Sequence, residues 1–357
     1  MKKFLALAPF LLFAVAACGD DDDGDPGPSG SETPLATGTA QSEAFDPDAE
    51  LTIYSGRREP LFQPIVELFE EETSIDVSVK YGSTTELGAA LIEEQGNPQA
   101  DLFVGTDAAS AEELRDLGVF APFDSPALEA IDARYRADDG SWVGVSGRAR
   151  VIMYNTELVE EEELPVPESV LDLVDGEYEG EVAIPSTLNS SFTAWVSALR
   201  QFLGDDEAES YLEGLQDNDV LVLRDHTEVR QAVGRGEVAF GLVNHYYYQL
   251  EKEEGSPVGV IYPDQGDDQM GVLVNVAAAS IVNEAGNREA AEMFMEFLLS
   301  EEAQEIFAAT NFEYPLIEGV ETRADVPLGE FKEFDVDLAE LGRMNEETLD
   351  LLDRLGL

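Results

Sequence analysis

From residue 50 onward the chain alternates short β-type runs with longer stretches whose apolar positions recur every three or four residues. Leu51-Thr52-Ile53-Tyr54 reads as a strand, and Leu61, Ile65, Leu68 and Phe69 then fall at helical spacing. Ile75 to Val79 alternates as a strand should, Thr85 to Glu94 puts Leu87, Leu91 and Ile92 on one helical face, and Asp101 to Val104 is a third strand. The same alternation predicts strands at 150–154, 182–184, 220–223, 238–243 and 271–279. Between and after them come helices at 192–202, 228–233, 288–299, 301–309 and 338–355. Strands alternating with helices imply an α/β fold with a mainly parallel sheet covered by helices. No internal repeat is visible.

The first residues follow a different pattern. Lys2 and Lys3 precede an uncharged apolar stretch, Phe4 to Ala17, too short to span a membrane as a mature helix. This is the layout of a signal peptide over residues 1–17. It ends in Val15-Ala16-Ala17-Cys18, which reads as a lipoprotein cleavage box with Cys18 as the lipidated new N-terminus. An ordinary signal peptide with a chance cysteine is the alternative, but Cys18 is the only cysteine in the chain. The folded part therefore has neither a disulfide nor a thiolate metal site. Residues 18–49 are rich in Asp, Gly, Ser, Pro and Thr and read as a flexible tether, reaching roughly 30 Å as a coil. The remaining chain, roughly 310 residues, suits two lobes.

Charge narrows the function. Seventy-six acidic residues against 20 basic ones give a net charge of -56. A surface of this sign does not hold nucleic acid, whose phosphates need basic partners. The acidity reads as adaptation to salt, because it is spread along the whole chain; a cation-attracting field is the competing reading. The motifs of common enzymes are missing: there are two histidines, no G-x-S-x-G elbow, no phosphate-binding glycine loop and no H-E-x-x-H. Nothing in these motifs points to catalysis, though their absence does not exclude it.

Asn244-His245-Tyr246-Tyr247-Tyr248 is the unusual feature. It follows the apolar run Phe240 to Val243, where a strand gives way to a loop or helix, and ligands in α/β folds sit at the carboxyl ends of strands. An aromatic edge packed on a neighbouring helix would also explain the rings. Phenolate oxygen is a hard anionic donor suited to a hard trivalent cation. Adjacent residues of a regular strand point to opposite faces, so both rings reach one ion only if the chain turns or starts a helix there.

At this point the chain resembles the ferric-iron-binding proteins of bacterial ABC importers, members of the type II periplasmic binding protein class. The resemblance runs through Leu51 to Arg57, Ala100 to Phe103, Gly147 to Asn155, Gly236 to Tyr247 and Glu313-Tyr314-Pro315. It implies a two-lobe fold with a hinge and an interlobe cleft. One lobe would comprise residues 50–149 and 274–325, the other 150–273 and 326–357. It implies Tyr246 and Tyr247 as ligands of Fe(III), with Tyr154 as the third tyrosine of a tyrosine-rich branch; three phenolates would neutralise the ion. Where the other branch has a histidine and a glutamate, this chain has Arg58 and Thr106. Glu59 and Asp107 are outside candidates as further ligands.

The resemblance also implies carbonate or another small anion beside the iron. Arg57, Arg58 and Arg150 are candidate partners for it, as guanidinium matches an oxyanion bidentately; salt bridges are the competing use. Ser190 and Ser191, before a predicted helix, would offer free amides to an anion or simply cap the helix, and Asn244 is a further neighbour. His245 reads as a structural hydrogen-bonding group, His226 as a loop residue, Tyr248 as packing, Trp142 and Trp195 as core, and Tyr54 as cleft wall. The implied partners are a membrane permease and an ATPase. The protein would be a monomer held to the outer face of the cytoplasmic membrane by its lipid anchor alone. A phosphonate, another organic anion or a polyamine in the same cleft is the competing ligand reading.

Overall fold

The computed structural model describes residues 50–187 and 189–357. The signal peptide, the tether and Cys18 lie outside the described residues. The chain begins with β1 (Glu50–Ser55), α1 (Glu59–Thr73), β2 (Asp76–Tyr81), α2 (Thr84–Glu93), β3 (Leu102–Gly105), α3 (Ala108–Asp116) and the short β4 (Phe120–Ala121). A long strand, β5 (Val143–Asn155), leads into α4 (Thr156–Glu161), β6 (Val182–Pro185), α5 (Ser190–Leu203) and α6 (Asp205–Asp217). Next come β7 (Leu221–Leu223), α7 (His226–Gly234), β8 (Phe240–Asn244), α8 (His245–Glu253) and β9 (Val258–Ile261). β10 (Val274–Val282) is followed by α9 (Arg288–Leu298), α10 (Glu301–Asn311), α11 (Leu338–Arg343) and α12 (Asn345–Leu355).

The strands run in the order β2-β1-β3-β10-β5-β8-β6-β7, with β4 on β10 and β9 on β5. β1 is parallel to β2 and β3, and β6 is parallel to β7 and β8. β10 runs against β3, β4 and β5, and β5 runs against β8 and β9. The sheet is therefore more mixed than periodicity predicts, because residue patterning fixes which face a strand buries but not its direction. β5 joins the two halves. Its first part, Val143 to Ala149, pairs with β10, and its second, Arg150 to Asn155, pairs with β8 and β9. Both β10 and most of β5 are buried along their length, β10 mostly with small and apolar residues and β5 with apolar residues interrupted by Arg148 and Arg150 at its middle.

Local chemistry sets where helices begin, and several begin beside the cleft. Ser83 caps α2 in a capping box with Glu86, Asp107 caps α3, Asn189 caps α5, and Asp225 caps α7. The turns after β1, β3, β6, β7 and β8 thus converge on one side of the sheet. Gly56, in the first of these turns, allows a close approach: a Cβ there would lie 2.2 Å from Thr84 Oγ1.

The predicted helix over 338–355 is divided at Met344. α11 packs on α3, and α12 packs on α5 and α6. The α11–α3 contact is tight. A Cβ on Gly342 would stand 2.6 Å from the Ala109 carbonyl oxygen and 2.9 Å from Glu112 Cβ. Gly342→Val is expected to lower unfolding free energy by about 2 kcal/mol, since overpacking against backbone outweighs any gain in helix propensity. A denaturant midpoint that falls with an unchanged slope checks this; an unchanged midpoint would refute the close packing.

Candidate functional site

The converging turns enclose a cavity of about 790 Å³ between the two halves of the sheet. Gly56, Arg57, Arg58, Thr84, Thr106, Arg148, Ser190, Tyr246, Tyr247 and Glu313 are part of its wall. The cavity lies at the carboxyl ends of β1, β3, β6, β7 and β8, where the fold leaves backbone and capping groups available to a ligand.

Tyr246 and Tyr247 are the second and third residues of α8, which starts directly at the end of β8. A helical start turns successive side chains by about 100° where a strand would turn them by 180°, so both rings share the cavity wall. Their centroids are 4.3 Å apart at 31°. Both residues are buried. Burial, with the neighbouring Tyr247, pushes the Tyr246 phenol well above its usual range, against the pull of Arg148.

His245 anchors this helix start. The Ala149 amide donates to its Nδ1 at 3.1 Å, and its Nε2 lies 2.8 Å from the Phe312 carbonyl. Nδ1 accepts, so Nε2 carries the proton and donates. The ring also stacks on Tyr314 at 4.1 Å. Burial holds the imidazole neutral, with a pKa lowered to about 4. Both nitrogens are engaged within the protein, in agreement with a structural role.

Three buried arginines stand around the phenols. Arg57 donates to Glu313 Oε2 at 2.7 Å and to Ser146 Oγ at 3.2 Å. Arg148 donates through Nε to Glu313 Oε1 at 3.0 Å and through a second nitrogen to the Thr106 carbonyl. Burial alone would raise the Glu313 carboxyl, but the two guanidiniums outweigh it and hold the pKa down at about 2. Burial likewise disfavours the Arg148 charge, and Glu313 reverses that effect.

Arg150 is different. It meets His226 Nε2 at 3.0 Å and the Ser191 carbonyl and hydroxyl at 2.8 and 3.3 Å. No carboxylate acts on its charge among the described residues, and burial lowers its pKa to about 9 despite the two phenols. Its Nε has no hydrogen-bond partner among the described residues.

Further contacts span the cleft. Ser190 Oγ donates to Asp107 Oδ2 at 2.5 Å and lies 3.1 Å from Thr106 Oγ1. Arg58 donates to Thr227 Oγ1 at 3.0 Å. Asp107 also accepts from the Ser110 amide and hydroxyl at the start of α3. Its carboxylate is engaged with capping and cross-cleft hydroxyls.

The remaining candidates divide. Ser191 is buried, with its hydroxyl donating to Asn189 Oδ1 at 2.7 Å and contacting Arg150 and His226. Asn244 is buried opposite Arg150 in the β5–β8 pairing. Tyr154, expected as a third phenolate, is not brought to the pair. It sits opposite Phe240 and Gly259, four residues along β5 from Arg150, or roughly 13 Å at strand rise. Its ring packs toward Phe240 and over Gly259, whose missing Cβ makes room for it. Glu59 is exposed at the start of α1 and is not part of the cavity wall. Tyr248 donates to Asp325 behind the site, and Trp142 and Trp195 are fully buried in the core.

His226, read as a loop residue, is instead the buried first residue of α7, with its ring 5.2 Å from that of Tyr247. Burial, then Arg150, drives its pKa well down. The sequence reading missed Arg148 and Glu313. Arg148 had a signal: it lies two residues from Arg150 on one strand, hence on the same face. Glu313 had only the turn in which it sits.

Among the described residues no three or more His, Cys, Asp and Glu side chains gather as a metal cluster. The oxygen donors that line the cavity are the phenols, hydroxyls and the carboxylates of Glu86, Glu113, Asp225 and Glu313, and Glu313 is already paired with Arg57 and Arg148. Glu313→Gln is expected to destabilise the protein by about 3–5 kcal/mol, since it leaves two buried guanidiniums without their carboxylate. A depressed carboxyl pKa adds stability above the unfolded value of about 4.5, lost as pH falls through about 2. The gap between wild type and variant in urea unfolding should therefore be constant near neutrality and shrink below pH 4.5. A gap that widens in acid would refute the ion-pair account.

Residues 97–335 match the family model of bacterial extracellular solute-binding proteins. Iron uptake protein A1 of Synechocystis is 34% identical over 304 residues, 82% of this chain and 83% of that protein. The structure of iron-bound HitA from Pseudomonas aeruginosa superposes with a TM-score of 0.80 at 28% identity, covering 87% of this chain and all of HitA. Trichodesmium IdiA (FutA), in complex with iron and citrate, superposes at 0.72 with 30% identity, covering 86% of this chain and 99% of that one. The protein therefore belongs to the bacterial extracellular solute-binding proteins, binding proteins and not enzymes, and has the two-lobed periplasmic binding protein fold.

Proposed function

We propose that the protein captures ferric iron outside the cytoplasmic membrane and delivers it to the permease and ATPase of an ABC importer. The observation that carries this reading is the buried adjacent pair Tyr246 and Tyr247, facing a cavity beside an arginine with no carboxylate partner. Phenolate is a hard donor for a hard trivalent ion. The raised Tyr246 pKa keeps its proton in place until such an ion displaces it. Relatives named for iron, and solved relatives holding iron, support the same ligand.

Charge accounting favours an accompanying anion. The buried groups Arg57, Arg148 and Arg150 carry three positive charges and Glu313 and Asp107 two negative ones, leaving one formal positive charge. A trivalent ion with two phenolates adds one more. A doubly charged small anion such as carbonate cancels the total, with Ser190 at the start of α5, Arg58 and Arg148 as its neighbours on the cavity wall. Tyr154 lies too far along β5 to serve, so two phenolates form the protein's share of the shell.

In this reading residues 50–149 with 274–325 form one lobe and 150–273 with 326–357 the other, with α11 reaching across to α3. Closure brings Asp107 and Thr106 to Ser190, and Arg58 to Thr227. Cys18, once lipidated, tethers the monomer to the outer face of the membrane.

The mature protein, given ferric citrate and bicarbonate, is expected to develop a visible phenolate-to-iron charge-transfer band that is absent from a Tyr246→Phe, Tyr247→Phe double variant. A colourless wild type that leaves iron with citrate would overturn the ferric reading and favour an organic ligand in the same cleft.

A further inference from the structure

The cavity is much larger than a ferric ion with small ligands requires. Six small oxygen ligands around one ion take up on the order of 200 Å³, at about 30 Å³ per water-sized group. The cleft offers about 790 Å³, within the range of sites built for whole organic molecules. The extra room has a distinct chemistry. Gly88, Ala89 and Ile92 of α2, Leu114 of α3 and Leu349 of α12 form an apolar stretch of the same cavity wall. Ile92 is 39% exposed. An apolar wall held open to water beside a polar site marks a surface that a carbon-bearing ligand covers.

Two further observations restrict that ligand. Glu86 of α2 and Glu113 of α3 stand in the wall on the same helices as apolar groups, while the wall's arginines, Arg57, Arg58, Arg148 and Arg224, come from other elements, and the whole chain carries a net charge of -56. Both disfavour a polyanionic chelate and favour a neutral or cationic one. The coordination count gives the rest. Tyr246 and Tyr247 supply two positions, Tyr154 lies along β5 from them, and both nitrogens of His245 are already bonded. Four positions of a six-coordinate ion are left for the ligand to fill.

Resting on the ferric reading above, we infer that the cleft takes iron as its complex with a tetradentate organic chelator of the dihydroxamate kind, whose carbon body lies against the α2–α3–α12 wall. Two hydroxamates carry one negative charge each, so the incoming complex is a monocation with two waters on the metal. On binding, the two phenolates replace those waters and two phenol protons pass to solvent. The bound unit then carries one negative charge, beside Arg148 and Arg150. The chelator's two charges take the place of the small dianion.

The test compares two forms of iron on wild type and on Ala89→Trp, which places a large ring in the apolar part of the cavity from the exposed side of α2. The probes are Fe(III) with bicarbonate and the one-to-one Fe(III) complex of a synthetic linear dihydroxamate. Binding of the bicarbonate form is followed by the charge-transfer band, and binding of the dihydroxamate form, whose hydroxamates absorb in the same region, by native mass spectrometry, which also shows whether the chelator is retained. Wild type should hold the dihydroxamate complex intact. Ala89→Trp, with an unchanged melting temperature, should weaken that complex by about tenfold or more, roughly 1.4 kcal/mol, while leaving the bicarbonate form within about twofold. Wild type that strips the iron and releases the dihydroxamate would overturn the proposal, whatever the variant does. So would a variant that weakens both forms equally or neither. Failure of wild type to bind iron in either form would instead remove the ferric reading itself.

Discussion

The buried carboxylate of Glu313 is the constraint on which the site depends. Its two oxygens hold Arg57, from the turn after β1, and Arg148, from the strand that crosses between the two halves. Glu313 itself follows α10, so one carboxylate joins three distant parts of the chain. Burying an ion is costly, and such a network is tolerable only when each charge finds its partner. Here two of three guanidiniums do. The orientation of Arg148 then carries through to the Thr106 carbonyl and so to the cross-cleft hydroxyls of Thr106 and Ser190.

What the network leaves unbalanced gives the site its chemistry. Arg150 keeps a buried charge satisfied only by neutral groups: an imidazole, a carbonyl and a hydroxyl. Next to it stand two phenols, one of them held strongly against ionisation by burial and by the other. On the ferric reading proposed above, the site takes a cation and an anion together, because ionised phenols and an accompanying anion would answer the guanidinium while the metal answers them. His245 keeps the phenols in place by fixing the start of α8 to β5 and to the segment after α10.

Much of this was legible in the sequence, for physical reasons that differ by element. The strand-then-tyrosine motif revealed its place because a buried apolar run that ends in polar and aromatic residues marks the carboxyl end of a strand. That the chain turns or starts a helix at Tyr246 followed from side-chain geometry once both rings were set to face one ion, and a helix start is what the structure has. The antiparallel course of β5 and β10 was not legible, since strands buried on both faces read alike in either direction. Tyr154 stands off the cavity wall, and matching its neighbours along β5 says nothing of how far that strand runs past the cleft. Glu313 stands more than 160 residues from Arg148 and has no local pattern to announce it. The division of the last helix at Met344 also escaped, because its apolar spacing continues through the break.

The most direct measurement counts phenolates. Gallium(III) has the charge of ferric iron and no visible absorption, so an ultraviolet difference titration at neutral pH with bicarbonate reads tyrosine ionisation alone. The account predicts two phenolates formed for each gallium bound, and a plateau at one gallium per protein. Tight binding with no phenolate signal would contradict it, and would move the metal away from Tyr246 and Tyr247 altogether.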